Sequence, residues 1–283
     1  MVTNPDQLSS VDPFIPFVSI NSAIVVQETV NKHPLDRIGI VLRSCEARAL
    51  QQMVLDRRLS LENLLLIGVD CMGSFPIDEF EWRYQKKGAL DRITRESLQF
   101  SRQGGIAPYR LRTTCQICST PTNGNVDIRV GIIGLPSIQM LLIVLENEEL
   151  AEQINLSEIG DYPAEQSVLD QRRRLLKTII QRHQSVNSRL LDNLSSDLPC
   201  TLNEIRDLLS KCSPCKNCLE ACAIYPGVKN FWNANNQIDL SGLERWIISC
   251  VSCGMCEQTC PQHLPLPMII KKIRKELMRE LVH

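Results

Sequence analysis

The sequence predicts an α/β domain over residues 1–148, a long linking helix over 149–199 and an all-α, cysteine-rich domain over 200–283. Three observations carry this reading. Short apolar, β-branched runs alternate with helical periodicity in the first half, which is the pattern of strand–helix–strand units. A cysteine-free stretch, Ala164 to Leu198, repeats apolar residues every three or four positions. Nine of the 13 cysteines then crowd into residues 200–260.

In the first half, Ile38 to Arg43 and Leu64 to Val69 suit buried parallel strands. Between them, Glu46 to Arg58 has helical spacing through Ala49, Leu50, Met53 and Leu55. Val126 to Leu135 and Met140 to Leu145 supply further sheet elements, although the second reads equally well as helix. The linking helix gathers Leu169, Leu176, Ile179, Ile180, Leu190, Leu191 and Leu194. Arg172, Arg173, Arg174 and Lys177 take its other face, read as solvated because charge runs usually are. Beyond it, capping boxes are expected at Thr201 with Glu204 and at Ser241 with Glu244, each ahead of an apolar helix. A last helix, Pro267 to Leu281, puts Ile269, Ile270, Ile273, Leu277 and Leu281 on one face and basic residues on the rest.

Composition excludes several classes. Lysine plus arginine total 31 against 32 acidic residues, without the basic excess of a nucleic-acid binder. At 43% hydrophobic, the chain can build a core. Met1 to Pro16 lacks the basic start and apolar centre of a secretory signal. The longest apolar stretch, Leu135 to Leu145, is about half of what a bilayer needs, so no direct membrane span is expected. A cytoplasmic protein follows as the expectation, and reduced, clustered cysteines there more often bind metal than pair as disulfides. No Gly-x-Gly-x-x-Gly or Walker loop is present. His33, His183, His263 and His283 are scattered away from any triad, so no catalytic residue is assigned.

The strongest signal is a repeated run. Cys212, Cys215, Cys218 and Cys222 follow C-x2-C-x2-C-x3-C, and Cys250, Cys253, Cys256 and Cys260 repeat it with Pro261 added. Two-residue spacers let three thiolates wrap one face of a cubane while the fourth reaches away to the other cluster. On that rule Cys212, Cys215, Cys218 and Cys260 hold one 4Fe–4S cluster, and Cys250, Cys253, Cys256 and Cys222 hold a second. Zinc also takes four thiolates, but its usual frame is paired C-x2-C without a third cysteine at that spacing. The Asn-rich stretch and capped helix between Cys222 and Cys250 resemble the helical two-cluster ferredoxin module of succinate dehydrogenase and heterodisulfide reductase small subunits.

Four cysteines lie outside these runs. Cys45 and Cys71 each follow a predicted strand, so parallel strands bring both to the carboxyl edge of one sheet, where α/β ligand sites form. Cys115 and Cys118 form a C-x2-C pair in a polar turn. Together the four are candidates for a third 4Fe–4S cluster; the alternatives are buried core thiols at Cys45 and Cys71 with a zinc or redox C-x2-C pair. Arg43 and Arg48 flank Cys45, where they offset cluster charge, bind an anionic cofactor, or pair with Glu46, Asp56 or Asp70. Cys200 has no partner motif.

Two segments resemble a known family. Leu42-Arg-Ser-Cys45-Glu-Ala-Arg48-Ala-Leu50 and Leu66-Ile-Gly-Val-Asp-Cys71-Met-Gly73 are similar to the β-subunits of coenzyme F420 hydrogenases and formate dehydrogenases. The resemblance implies an iron–sulfur subunit that relays single electrons beside formate dehydrogenase, hydrogenase or heterodisulfide-reductase-like partners. It raises the expectation of a cluster at Cys45, Cys71, Cys115 and Cys118. It also implies an alternative, an FAD-containing subunit exchanging hydride with coenzyme F420 or a nicotinamide, with the clusters as electron outlet. No flavin contact is mapped to a named residue.

Overall fold

The computed structural model describes residues 2–104, 110–161, 163–193, 198–212, 215–228, 231 and 237–280. Leu194, the asparagine-rich stretch, Leu281 and His283 lie outside them. Helix α1 (Ser22–Lys32) precedes β1 (Ile38–Arg43), α2 (Ser44–Leu55) and β2 (Leu64–Val69). Next come α3 (Ile77–Lys87), α4 (Leu90–Gln99), the single-turn α5 (Thr113–Gln116), β3 (Ile128–Gly131) and β4 (Leu142–Leu145).

The four strands form one sheet in the order β1-β2-β3-β4. Strands β1, β2 and β3 are parallel, and β4 returns antiparallel to β3. Met140 and Leu141 stay outside β4 and are exposed, so the ambiguous run is a short edge strand. Helix α2 packs on β1 and β2, with Ala49, Leu50 and Met53 fully buried. It ends where Arg57 takes the left-handed conformation at φ 56°, short of the expected Arg58.

Two short helices, α6 (Glu148–Gln153) and α7 (Leu156–Ile159), lead to α8 (Gln166–Asn193), the long helix its periodicity predicts. Its arginine run divides. Arg173 is exposed beside Asp170, but Arg172 turns inward and pairs with the buried Asp70 carboxylate. The solvated-face reading fails at Arg172 because Gly131 and Gly134 leave room for its side chain and backbone at the sheet edge.

The remaining described helices are α9 (Leu202–Lys211), α10 (Asn217–Glu220), α11 (Leu240–Ser249), α12 (Met255–Gln258) and α13 (Leu266–Glu280). Thr201 and Glu204 form the expected capping box. Helix α11 is capped by Asp239 rather than Ser241: the Asp239 carboxylate accepts from Gly242 N–H and from the Ser241 hydroxyl. A carboxylate with two acceptor oxygens displaces the weaker hydroxyl cap. Ile269, Ile270 and Ile273 of α13 are buried, as its apolar stripe predicts.

One hydrophobic core runs through both halves. Leu42, Leu50 and Leu66 of the sheet layer share it with Ile205, Trp246, Leu243 and Ile273 of the cysteine-rich part. Trp246 is 1% exposed and leans on Phe231, which meets Tyr225 edge-on. That continuous burial fixes the cysteine loops against the sheet's carboxyl edge.

Candidate metal centre

The parallel pairing of β1 and β2 brings their ends together, so Cys45 at the start of α2 and Cys71 just after β2 share one edge. Asn123 locks this edge: its Nδ2 donates to Val69 O at 2.8 Å and Leu42 O at 3.3 Å. Gly68 is required there, because a Cβ would sit 2.6 Å from the Asn123 side chain. Cys71 N–H donates to Pro121 O at 2.8 Å, drawing the Cys115–Cys118 turn over the same edge. Asp70, one residue before Cys71, accepts from Ile132 and Ile133 N–H at 2.8 and 2.9 Å and from both Nη atoms of Arg172. Helix α8 is thereby tied to the site, and His183 further along it meets the Cys118 carbonyl at 2.6 Å. Burial pushes the His183 pKa down.

The cysteines influence one another in three sets. Burial pushes Cys45 well up, and Glu46, Cys71, Cys253 and Cys115 add to it. Cys71 is raised to about 11, chiefly by burial, with Cys115 and Cys118 adding and Arg43 opposing. In the second set, burial raises Cys218 to about 12, and Cys212, Cys260 and Cys215 contribute. In the third, burial raises Cys250 to about 12, aided by Cys222 and Cys253. Burial also lifts Cys256 well up, with Cys250, Cys253 and Cys222 next and Cys218 after them. Raised thiol values mean that each group needs a positive partner to persist as the thiolate that binds metal.

Cys222, Cys250, Cys253 and Cys256 line a single cavity, otherwise walled by apolar groups that include Trp246 and Ile270. Two donors point at its sulfurs: Trp246 Nε1–H to Cys222 Sγ at 3.3 Å and Ser252 N–H to Cys250 Sγ at 3.4 Å. Uniform thiol donors, an apolar wall and N–H groups aimed at sulfur fit an iron–sulfur cluster. Among the described residues, no group of three or more His, Cys, Asp or Glu is gathered tightly enough to hold a metal ion. Cys200 belongs to none of the sets; its Sγ lies 3.5 Å from Leu198 O.

The halves interlock beside these sets. Thr114 Oγ1 donates to Ser252 O at 3.0 Å, and Gly254, at φ +74°, packs so closely that a Cβ would meet Thr114 Cγ2 at 2.2 Å. Arg48 Nη2 donates to Val251 O at 2.9 Å, and Arg274 Nη1 to Cys250 O at 2.8 Å. Arg43 donates to the carbonyls of Ile15 and Phe17. Instead of the expected pairing with Glu46, Asp56 or Asp70, Arg43 bonds carbonyls and Arg48 bonds the Val251 carbonyl and the Ser44 and Thr120 hydroxyls, while Asp70 pairs with Arg172. A second cavity of about 410 Å3 opens between the halves, with Arg48, Lys271, Arg274, Cys118 and Cys250 in its lining.

Sequence reasoning missed Asp70, Asn123, Arg112 and Arg172. Only Asp70, next to Cys71, and Arg112, three residues before Cys115, carried a local signal; Asn123 and Arg172, the latter within α8, carried none.

Comparison with known proteins bears on this arrangement. The family model for the C-terminal region of the beta subunit in coenzyme F420 hydrogenase/dehydrogenase matches residues 35–166, which contain the sheet and the Cys45, Cys71, Cys115 and Cys118 set. This stretch, a little under half of the chain, is similar to that family. It is also similar to the "Acetyl-CoA decarbonylase/synthase complex subunit alpha 1" of Methanosarcina mazei, 29% identical over 77 residues, 27% of this chain and 10% of the relative. The protein of the same description from Methanosarcina acetivorans is 30% identical over 80 residues, 28% of this chain and 10% of the relative. The chain thus spans about a tenth of the length of these curated relatives. Both relatives are, by their descriptions, subunits of a complex. No helix among the described residues is long and apolar enough to cross a membrane.

Proposed function

We propose that this protein is an iron–sulfur electron-transfer subunit of an anaerobic oxidoreductase complex in the cytoplasm, relaying single electrons between larger redox partners. Those partners are of formate dehydrogenase, hydrogenase or heterodisulfide-reductase-like type. One observation carries the reading: Cys222, Cys250, Cys253 and Cys256 line one cavity with two N–H donors aimed at their sulfurs, and the other eight proposed ligands act through charge on these or on one another. Cys253 acts on Cys45, linking the third set to the sheet-edge set, and Cys218 acts on Cys256, linking it to the second. The proposed ligands are Cys45, Cys71, Cys115 and Cys118; Cys222, Cys250, Cys253 and Cys256; and Cys212, Cys215, Cys218 and Cys260. On this reading, residues 1–148 form the family domain, 149–199 carry the linking helix and 200–283 form a helical two-cluster ferredoxin-like domain.

A bound 4Fe–4S cluster supplies a one-electron carrier whose potential follows hydrogen bonds to sulfur, local charge and burial. The chain provides each of these levers. Trp246 and Ser252 donate to sulfur, Arg43 and Arg274 bring positive charge to Cys71 and Cys250, and the shared core excludes water. Cys45→Ser, Cys215→Ser and Cys253→Ser test the scheme on protein purified without oxygen. Each substitution is expected to remove one reduced-cluster spectrum and to stop electron flow to the partner. Full partner turnover in all three variants would sink the relay.

A second reading, an FAD-containing subunit acting on coenzyme F420 or a nicotinamide, draws support from the 410 Å3 cavity and its three cations. It requires flavin to copurify with the chain in a one-to-one ratio.

A further inference from the structure

Three cations converge on the cavity of about 410 Å3 between the halves, and no acidic residue shares its lining. Arg48 enters from α2; Lys271 and Arg274 enter from α13, where a spacing of three puts them on one helix face. The two guanidiniums are fixed by adjacent peptide groups. Arg274 Nη1 donates to Cys250 O at 2.8 Å, and Arg48 Nη2 to Val251 O at 2.9 Å. Arg48 Nη1 also donates to the Ser44 and Thr120 hydroxyls. Lys271 makes no hydrogen bond among the described residues. All three are half-buried. The acids nearest in sequence are engaged elsewhere: Glu46 accepts from the Ser22 hydroxyl and Arg43 N–H, and Glu276 pairs with Arg279.

Three like charges gathered in a partly desolvated space repel unless something negative answers them. Carbonyl and hydroxyl dipoles answer the guanidiniums in part and Lys271 not at all. Arg274 has spent one of its N–H donors and keeps the rest. The Cys118 and Cys250 thiols also line the space, so a cluster at either offsets some of the charge. The space itself remains, and Cys250 shares a separate cavity with Cys222, Cys253 and Cys256. A volume of about 410 Å3 suits a small-molecule site, for which about 300–1,000 Å3 is usual. Ser119 and Ser249 add hydroxyl donors to the lining, and Ile117 and Ile248 add an apolar wall. No aromatic side chain lines it to stack on a flavin or nicotinamide ring.

We propose that this cavity binds an organic diphosphate, with Arg48, Lys271 and Arg274 as its anion clamp and the apolar wall against its organic group. Guanidinium groups grip phosphate oxygens in pairs, and a diphosphate carries enough negative charge to answer three cations. The clamp draws on both halves, so the bound ligand joins α2 to α13. The electron relay does not require this site, and the site does not require the relay.

Calorimetric titration of inorganic pyrophosphate and of ADP into the full chain, purified without oxygen, is the test. Both should bind one-to-one. Lys271→Gln removes a charge but no hydrogen bond, so it should leave the fold intact and weaken both ligands about tenfold or more, the worth of one charge-assisted contact. Lys271→Arg should recover most of that loss. Equal affinity for the two probes assigns recognition to the diphosphate alone, whereas tighter ADP shows the organic group using the apolar wall; either supports the site. Absence of binding by both probes, or affinities unmoved in Lys271→Gln at unchanged iron content, would overturn the proposal. Flavin that copurifies one-to-one and is lost in Lys271→Gln would overturn it too, by giving the cavity to the flavin. Iron content of the same samples reports on the relay separately: protein without iron that still binds pyrophosphate would sink the relay and leave this site standing.

Discussion

The Asp70–Arg172 pair offers a quantitative test of how the sheet edge is held. Asp70 is 4% and Arg172 14% exposed at the side chain, so the pair is buried and poorly screened. The Asp70 carboxylate accepts two backbone N–H bonds and a two-pronged bond from Arg172. Removing one partner of a buried pair typically costs about 3–5 kcal/mol, because the other is left as an uncompensated charge. In Arg172→Met the two backbone donors still serve Asp70, which puts the loss at the lower end, about 3 kcal/mol. Asp70→Asn keeps an acceptor for the backbone but strands the guanidinium, with a similar cost. The double variant strands neither charge, so it should be less destabilised than the sum by about 2 kcal/mol. Urea denaturation of the four proteins in the double-mutant cycle measures this. Strictly additive losses, within about 0.5 kcal/mol, would refute the idea that the pair ties α8 to the sheet.

Two further expectations concern the interlock and the cap. Gly254→Ala forces a side chain into a left-handed position against Thr114, so it should lower stability by more than about 1 kcal/mol; adding Thr114→Ser, which removes the clashing methyl, should recover part of the loss in the same denaturation assay. Thr201→Ala should cost about 1 kcal/mol through its lost cap. The Glu204 carboxyl is held below its usual range, first by Cys200 N–H and then by Thr201 N–H. A depressed folded-state value gives stability that is present above the unfolded value and disappears as pH falls through the folded one. The gap between wild type and Glu204→Gln should therefore close on acidification below the ordinary carboxylate value of about 4.3; a gap that ignores pH would contradict it.

Much of the layout was readable from local patterns. β1, α2 and β2 follow from short apolar runs around a periodic segment, and α8 from spacing alone, because period and length are local properties. The shared edge of Cys45 and Cys71 was legible for a related reason: each follows a strand, and the strands pair in parallel. What stayed hidden depends on contacts between distant residues. Arg172 looked like one member of a solvated run until Asp70, 102 positions away, claimed it. Arg112 lies in a loop whose meaning comes only from Met255 and Gln258 in the other half. The α11 cap moved from Ser241 to Asp239 because two candidate caps sat two residues apart and the carboxylate is the stronger acceptor.

Iron, acid-labile sulfide and flavin content per chain, measured on protein purified without oxygen, tests the central claim most directly. The relay predicts about twelve irons and twelve sulfides with no flavin. About eight irons with one flavin would contradict it, leaving Cys115 and Cys118 without a cluster and favouring the flavin-dependent reading.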